Sequence, residues 1–472
     1  MTNEIFKEAL SADLPDLWAT DLMPEIRAAV SSSRRKVVVL DDDPTGTQTV
    51  HGIPVITEWS IPTLRAELMG DRTAFYILTN SRSLPPDAAH KLNTEIGHNL
   101  KVAAEKTGMP FAVVSRSDST LRGHFPGEMD ALTESLGHTV DGWIFCPFFQ
   151  EGGRYTFGDT HYVQAGGRLV PAGDTEFAGD ADFGYQSSNL PLWVEEKTAG
   201  RIKSADTISI SIDDIRRGGP QRVKEVLLSV GGQRVCIVNA IDYRDLEVFV
   251  LGLLRAEALG KIFLYRTAAS FVRVRSGINP RPLLAPSEMG VDENGGGLII
   301  IGSYVPKTSR QLKALLQANP KIVREETSVK RLLDETEHYD ECKRVAARID
   351  DALLDGKDAV IYTNRRYVPA TGTRTGLENG RIISSGLVSI LRDIKSRPSY
   401  LIAKGGITSS DLATKGLGLR KALIMGQILP GIPVWRLGNE TRWPGTAYIV
   451  FPGNVGDDNA LAVIRERLAI AR

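Results

Sequence analysis

Short runs of β-branched and aromatic residues recur along this chain, and they limit its fold more than any other feature. Residues 37–41 (VVVLD), 74–79 (AFYILT), 111–115 (FAVVS) and 143–146 (WIFC) are almost wholly apolar and too short for core helices. Between them lie stretches of helical character, residues 86–106 and 127–136. The Pro85-Pro86 pair suits a helix start, because a first-turn proline gives up no needed donor. Strand, helix, strand at this spacing predicts a mostly parallel sheet with helices on both faces, since doubly buried strands read as continuous apolar runs. The series resumes at residues 207–211, 234–239 and 262–266. It resumes again at 297–302, 359–362, 400–406 and 447–451, before a closing helical pattern over 458–471. The first thirty-odd residues read as helical and peripheral.

Two stretches break this rhythm. Residues 152–199 are glycine-rich, polar and aromatic, and an excursion of that length inside a domain points to function. Residues 276–296 mix prolines, glycines and acids without a period, as an interdomain connection does. At 472 residues the chain exceeds one comfortable core. The expectation is α/β throughout: two domains, 1–275 and 297–472, joined by a linker at 276–296. Each is a mostly parallel sheet flanked by helices, with the active site in the cleft between them.

Charge and cysteine usage narrow the class. Lys+Arg and Asp+Glu both number 57, which argues against broad affinity for nucleic acid or an anionic membrane. Cys146, Cys236 and Cys342 are far apart and form no CxxC pair, so buried reduced thiols are expected rather than disulfides or zinc. The N-terminal stretch has no basic segment ahead of an apolar run, and nothing approaches the ~20 apolar residues of a membrane span. A cytoplasmic protein is expected.

Chemistry is concentrated where the strands end. In open parallel sheets, ligands sit outside the carboxyl ends of the strands. The run VVVLDDDPTGT delivers Asp41, Asp42 and Asp43 to such an end. Alternation would turn Asp41 and Asp43 one way and Asp42 the other, while Thr45 and Gly46 permit a sharp turn with exposed amides. Such a group can hold a polyol, and one carboxylate beside a reacting hydroxyl can act as general base. The plain alternative is an acid capping the following turn. SRSDSTLRGH, from residue 115, adds Arg116 and Arg122 as planar donors for carboxylate or phosphate, with Asp118, Ser119 and Thr120 as hydroxyl contacts. TNSRS brings Arg82 to a third strand end. His51, His124 and His161 lie near these loops without metal-ligand spacing.

The second half repeats the design with smaller residues. GSYVPKTS places Ser303, Lys307 and Thr308 ahead of a helix, and KGGITSSD offers Lys404, Gly405, Gly406, Thr408 and Ser409. FPGNVG presents Gly453 and Asn454. Small-residue turns at helix starts suit phosphate. No GxxxxGK[ST] is present, and GLGLRK lacks the last glycine of a dinucleotide fingerprint. One edge for a small acidic ligand and another for phosphate together suit phosphoryl transfer.

In order along nearly the whole chain, DDDPTGT, SRS, RSDSTLRGH, GRYTFGDTHYV, GSYVPKTSRQ, KGGITS and FPGNVG resemble the four-carbon acid sugar kinase family. Pro44 stands where that family usually has a bulky apolar residue, and SYVPK replaces a smaller Ser/Cys-rich run. The resemblance implies that the N-terminal domain binds a sugar acid and the C-terminal domain ATP. Asp42, Asp43, Thr45, Gly46, Arg82, Arg116, Asp118 and Ser119 would then contact substrate. Ser303, Gly405, Gly406, Thr408, Ser409 and Gly453 would seat ATP. It implies direct transfer of the γ-phosphoryl group from MgATP, with Asp42 or Asp43 orienting or deprotonating the hydroxyl. Arg82 or Arg116 would grip the carboxylate, and Lys404 or Lys307 would steady the triphosphate. No protein ligand of Mg²⁺ is assigned. The implied partners are a sugar acid and ATP, with no nucleic acid and no membrane; whether the chain forms a homo-oligomer stays open. Two other readings compete. A nicotinamide-dependent dehydrogenase needs the glycine fingerprint that is absent, and a non-catalytic binding or effector protein would be free to lose the carboxylates or phosphate loops that are present here.

Overall fold

The computed structural model describes residues 5–6, 14–137, 140–292, 295–303, 305–364, 376–453 and 455–469. The chain divides into two compact units, Met1–Ile53 with Glu58–Pro280, and Pro54–Thr57 with Arg281–Arg472. The first half is therefore not contiguous: Thr57 gives its amide to the Arg420 carbonyl of the second unit at 3.0 Å. Nothing in the local sequence marks that short stretch as separate. The aperiodic 276–296 is not slack either, because Leu284 and Met289 are buried in the second unit's core.

The first unit is built on a wholly parallel sheet. Its strands lie in the order Ile208–Ile210, Arg234–Val238, Gly142–Cys146, Phe263–Thr267, Phe111–Arg116, Lys36–Asp41 and Ala74–Leu78. Val37, Val38, Val39, Tyr76, Ile77 and Val114 are inaccessible to solvent, as strands covered on both faces require. Helix Pro86–Thr107 starts on its proline and stops at Gly108, whose positive φ of 65° lets its amide return to the Ala104 carbonyl. Helix Met23–Ser33 corrects the expectation of a peripheral N-terminus, since Met23, Ile26 and Val30 are buried. Ile5–Phe6 is a strand rather than part of a helix.

The glycine-rich excursion holds structure that its composition concealed. Strands Arg154–Phe157, Thr160–Ala165 and Arg168–Pro171 form an antiparallel meander, to which Ile5–Phe6 adds an edge. Isolated bridges from Phe149 to Arg154 and from Thr156 to Ala240 tie the meander to loops that follow two of the parallel strands. Helix Leu190–Lys197 then returns to the core, where Trp193 stacks on Phe125 and Phe145 at centroid distances of 4.9 and 5.1 Å.

In the second unit the order is Ile53–Ile56, Lys421–Leu429, Ile432–Leu437, Ala447–Phe451, Tyr400–Lys404, Leu298–Ile301, Ala359–Thr363 and Val323–Thr327. Ala447–Phe451 and the strands after it in that order are parallel. Lys421–Leu429 and Ile432–Leu437 add an antiparallel pair that sequence periodicity did not signal. The closing helix runs Ala460–Ala469. The three cysteines are free and buried, and among the described residues no helix is long and apolar enough to cross a membrane.

Trp193 fastens the excursion to the parallel sheet. Trp193→Ala should therefore cost the first unit about 3–5 kcal/mol, read as a lower urea midpoint for its unfolding transition.

Candidate functional site

Three neighbouring strands of the first unit end together, with Asp41 in register with both Leu78 and Arg116. The loops that follow bring together acids and arginines that are far apart in sequence. Arg82 grips Asp42 through two parallel bonds, Nε to Oδ2 at 3.1 Å and Nη2 to Oδ1 at 2.7 Å. Arg116 donates to Asp41 at 3.1 Å and stands 3.6 Å from Asp42. Asp118 accepts from Arg122 Nε at 2.7 Å and from the Thr120 hydroxyl, with Arg82 at 3.9 Å on its other oxygen. Arg122 also reaches Asp180 of the excursion at 3.3 Å. Paired in this way, the buried charges avoid most of the penalty that isolated ions would carry.

The three consecutive aspartates have different fates. Asp41 and Asp42 are 1% and 3% exposed at the side chain, whereas Asp43 is 17% exposed. Alternation would have grouped Asp41 with Asp43. The chain instead bends into a 3₁₀ turn over Pro44–Thr47, and Asp43 caps it by accepting from the Thr45 amide at 2.8 Å. Its other oxygen is 3.7 Å from Arg82. Gly46 packs directly on Asp41: a Cβ there would lie 2.0 Å from Asp41 Oδ1. Its smallness thus serves the Asp41 carboxylate from above. The hydroxyls of Thr45 and Ser119 make no hydrogen bond to any described residue.

A deeper layer supports this rim. Arg266 donates to the Ser117 hydroxyl at 2.7 Å and lies 3.8 Å from buried Glu128, which accepts from Ser81 Oγ at 2.5 Å. The loop 117–124 is held by the excursion: a His161 ring nitrogen of the meander is 2.8 Å from the Ser119 carbonyl, and Tyr185, which follows the meander, donates to the Thr120 carbonyl at 2.8 Å. Leu121, buried, adopts a φ of +68°, a strained conformation for a branched residue that the flanking bonds hold in place. Burial drives the His161 imidazole down to about 4, so it serves this frame as a neutral ring. Burial also pushes the Asp41 carboxyl up to about 8, outweighing the Arg116 charge. It raises Glu128 too, helped by the charge of Asp42. For Asp118 burial acts upward, but the charges of Arg122 and Arg82 prevail and hold it well below the usual carboxylate range.

In the second unit, Ile301, Lys404 and Phe451 stand in register, so the loops beginning at Gly302, Gly405 and Pro452 lie side by side. Ser303 is the hub. A Cβ on Gly405 would come 3.2 Å from Ser303 Cβ, and one on Gly453 would come 3.2 Å from Ser303 Oγ. Thr308 donates to Ser303 Oγ at 3.2 Å and to the Gly453 carbonyl at 3.3 Å. Gly302 makes room for Thr408, whose Oγ1 would be 2.1 Å from an added Cβ. Gly405 has a φ of +118°, and Gly406 opens the short helix Gly406–Asp411. Two predicted contacts face inward. Ser409 spends its hydroxyl on the Ala403 and Gly405 carbonyls at 2.8 and 2.7 Å, and the Lys404 ammonium donates to the Pro452 carbonyl at 2.9 Å over the Phe451 ring. Lys307, half-buried, is the second residue of helix Pro306–Ala318, whose first turn also holds buried Thr308. Asn454 lies outside the described residues. Among the described residues no three His, Cys, Asp or Glu side chains are grouped to hold a metal ion. Sequence reasoning passed over Glu128, Arg154 and Arg266 as site residues; only the apolar strand end before Arg266 and the GGR of the excursion could have signalled the two arginines.

Comparison with known proteins agrees with this division. Residues 37–275 match the family model of a sugar-binding N-terminal domain, and residues 298–461 that of a nucleotide-binding C-terminal domain. A D-erythronate kinase of Heliobacterium modesticaldum is 24% identical over 388 residues, 79% of this chain and 76% of the relative. A 3-oxo-tetronate kinase of Methylobacterium radiotolerans is 25% identical over 413 residues, 84% of this chain and 91% of the relative. The fold is shared with a Salmonella typhimurium LT2 protein solved under the provisional name of a tRNA synthase. That match has a TM-score of 0.66 at 17% identity and covers 92% of this chain and 99% of the other. A Haemophilus influenzae protein of the DUF1537 family matches with a TM-score of 0.59 at 19% identity, covering 91% and 100%.

The raised Asp41 carboxyl sets a pH dependence. The folded state holds this proton from the ordinary value of 3.8 up to about 8, so its contribution to stability is fully present below 3.8 and is lost as pH rises through 8. Urea midpoints measured across that window should fall with pH, and Asp41→Asn should flatten the fall.

Proposed function

The chain belongs to the four-carbon acid sugar kinase family, and from that premise we propose that it passes the γ-phosphoryl group of ATP directly to a hydroxyl of a small sugar acid. The first unit binds the acid and the second binds the nucleotide. The observation that carries this reading is the state of Asp43. Arg82 occupies both oxygens of Asp42 and Arg116 holds Asp41, whereas Asp43 stands at the rim with one oxygen engaged only by a backbone amide and the other 3.7 Å from a guanidinium.

In the proposed reaction Asp43 accepts the substrate hydroxyl proton as that oxygen bonds to the γ-phosphorus. The bond from the γ-phosphorus to its bridging oxygen breaks, and ADP leaves with that oxygen. Asp42, fixed by Arg82, aligns the loop and the substrate hydroxyls, and the open hydroxyls of Thr45 and Ser119 offer further contacts. Little covalent work falls to the protein, so alignment and charge neutralisation dominate. Around Ser303 the glycines would let phosphate oxygens approach the loop backbones closely, although the amides of Gly302, Ser303 and Gly405 themselves donate to the Lys404 and Phe451 carbonyls. Lys404, locked on a carbonyl, stiffens this seat, while Lys307 near the helix start would meet phosphate in this reading. A Mg²⁺ ion accompanying the nucleotide would take most of its oxygen ligands from phosphate and water, and no protein ligand is assigned to it. Work with ATP and three free buried thiols both suit the reducing cytoplasm.

A coupled assay of ADP release over a panel of four-carbon sugar acids tests the activity. Asp43→Asn should lower kcat by about 10²–10⁴-fold while calorimetric ATP binding stays intact; normal turnover by that variant would remove Asp43 from the role of base. Gly405→Ala should weaken ATP binding, because a φ of +118° strains any residue with a Cβ and that Cβ would press on Ser303 at 3.2 Å. A chain that binds both ligands and never releases ADP would instead be a binding protein on this scaffold.

A further inference from the structure

Most arginines around the acid-binding rim are already spent. Arg82 holds Asp42, Arg116 holds Asp41, Arg122 holds Asp118 and Asp180, and Arg266 holds the Ser117 hydroxyl and the Arg122 carbonyl. A guanidinium saturated by a protein carboxylate has little left for a substrate carboxylate. Arg154 differs. It opens the first strand of the meander, and its side chain forms no ion pair with any described residue. Its Nε is buried without a hydrogen-bond partner, as is that of Arg116, but Arg116 already has a terminal nitrogen on Asp41 and Arg154 has no such carboxylate among the described residues. The guanidinium lies 5.7 Å from the centroid of the Phe177 ring, and Arg122 shares that ring at 5.1 Å. A Cβ on Gly152 would meet the Phe149 ring at 2.4 Å, so that glycine makes room for Phe149, with Arg154 Nη1 farther off at 3.2 Å. The charges of Asp118 and Glu176 act on it from beyond ion-pair distance, and Asp118 is already taken by Arg122 and Thr120.

A half-buried guanidinium with an unsatisfied N–H is costly unless an anion completes it. Its planar fork fits a carboxylate through two parallel bonds, and the Phe177 ring lies within cation–π range of it. We propose that Arg154 is the residue that grips the carboxylate of the sugar acid, and so decides between an acid and the corresponding neutral polyol. This rests on the sugar-acid reading above and replaces Arg82 and Arg116 in that role, leaving those two to set the aspartates.

The test is calorimetric binding of four-carbon sugar acids and of the matching four-carbon polyols to the full chain, with ADP release measured in parallel. Arg154→Met should weaken acid binding, and raise KM for the acid, by about 10- to 100-fold, with polyol and ATP binding unchanged. Arg154→Lys keeps the charge without the fork and should recover part of the loss. An Arg154→Met chain of unchanged melting temperature that still prefers acid over polyol by the wild-type ratio overturns the proposal. Should that variant fail to fold, Arg154→Lys decides: an unaltered KM for the acid overturns it, and a raised one supports it. The two readings fail separately, because acid binding lost in Arg154→Met without any ADP release from the wild type would uphold the grip and sink the kinase.

Discussion

Three acids in a row at the mouth of a buried strand coexist because neighbouring strands deliver guanidiniums to them and because burial keeps the Asp41 carboxyl protonated up to about 8. Arg116 arrives from the strand on one side, in register with Asp41, and Arg82 from the loop after the strand on the other. Each pair removes a repulsion that would otherwise oppose folding, and a buried pair broken on one side typically costs about 3–5 kcal/mol. Much else follows from this arrangement. Gly46 must lack a side chain because Asp41 lies beneath it, Gly123 must approach Asp42 and Arg266 closely, and Leu121 must accept a left-handed backbone to turn Arg122 back onto Asp118. Asp43 remains as the acid of the three whose carboxylate stays at the rim.

The second unit solves a different problem with different chemistry. A phosphate chain carries several charges spread over many oxygens, and backbone amides at glycine turns can meet them without immobilised side chains. On the proposed function, its three adjacent strand ends would supply such turns around Ser303, where the few polar side chains mostly bond one another or the backbone. Ser409 and Lys404 show how a residue of the right type can serve the frame of a site. Both sit in a motif that reads as ligand-binding, and both give their polar atoms to carbonyls of adjacent loops.

The meander joins the two kinds of logic within the first unit. Its sequence, rich in glycine and aromatics, has no strand period long enough to announce three antiparallel strands. Their pairing depends on turns at Gly158 and at Gly166-Gly167, where positive φ values allow tight reversals. Once folded, the meander and the segment after it press His161 and Tyr185 onto the 117–124 loop and bring Arg154 and Phe177 to the same neighbourhood.

From residues alone came the parallel strands, their polar ends and the membership of Asp42, Asp43, Arg82, Arg116 and Asp118 in one group, because apolar runs and strand-end loops are local patterns. The antiparallel pair Lys421–Leu429 and Ile432–Leu437 stayed hidden, since exposed Lys421 and Arg436, Pro433 and the bulged Gly426 blur its alternation. Which aspartate faces which arginine was decided only by the tertiary structure. Asp41 meets Arg116 across 75 positions and Asp42 meets Arg82 across 40, and such pairings depend on the lateral order of strands, which no local period encodes. The types of residue were written into the chain, while their division into structural pairs and open groups waited for the sheet to set their neighbours.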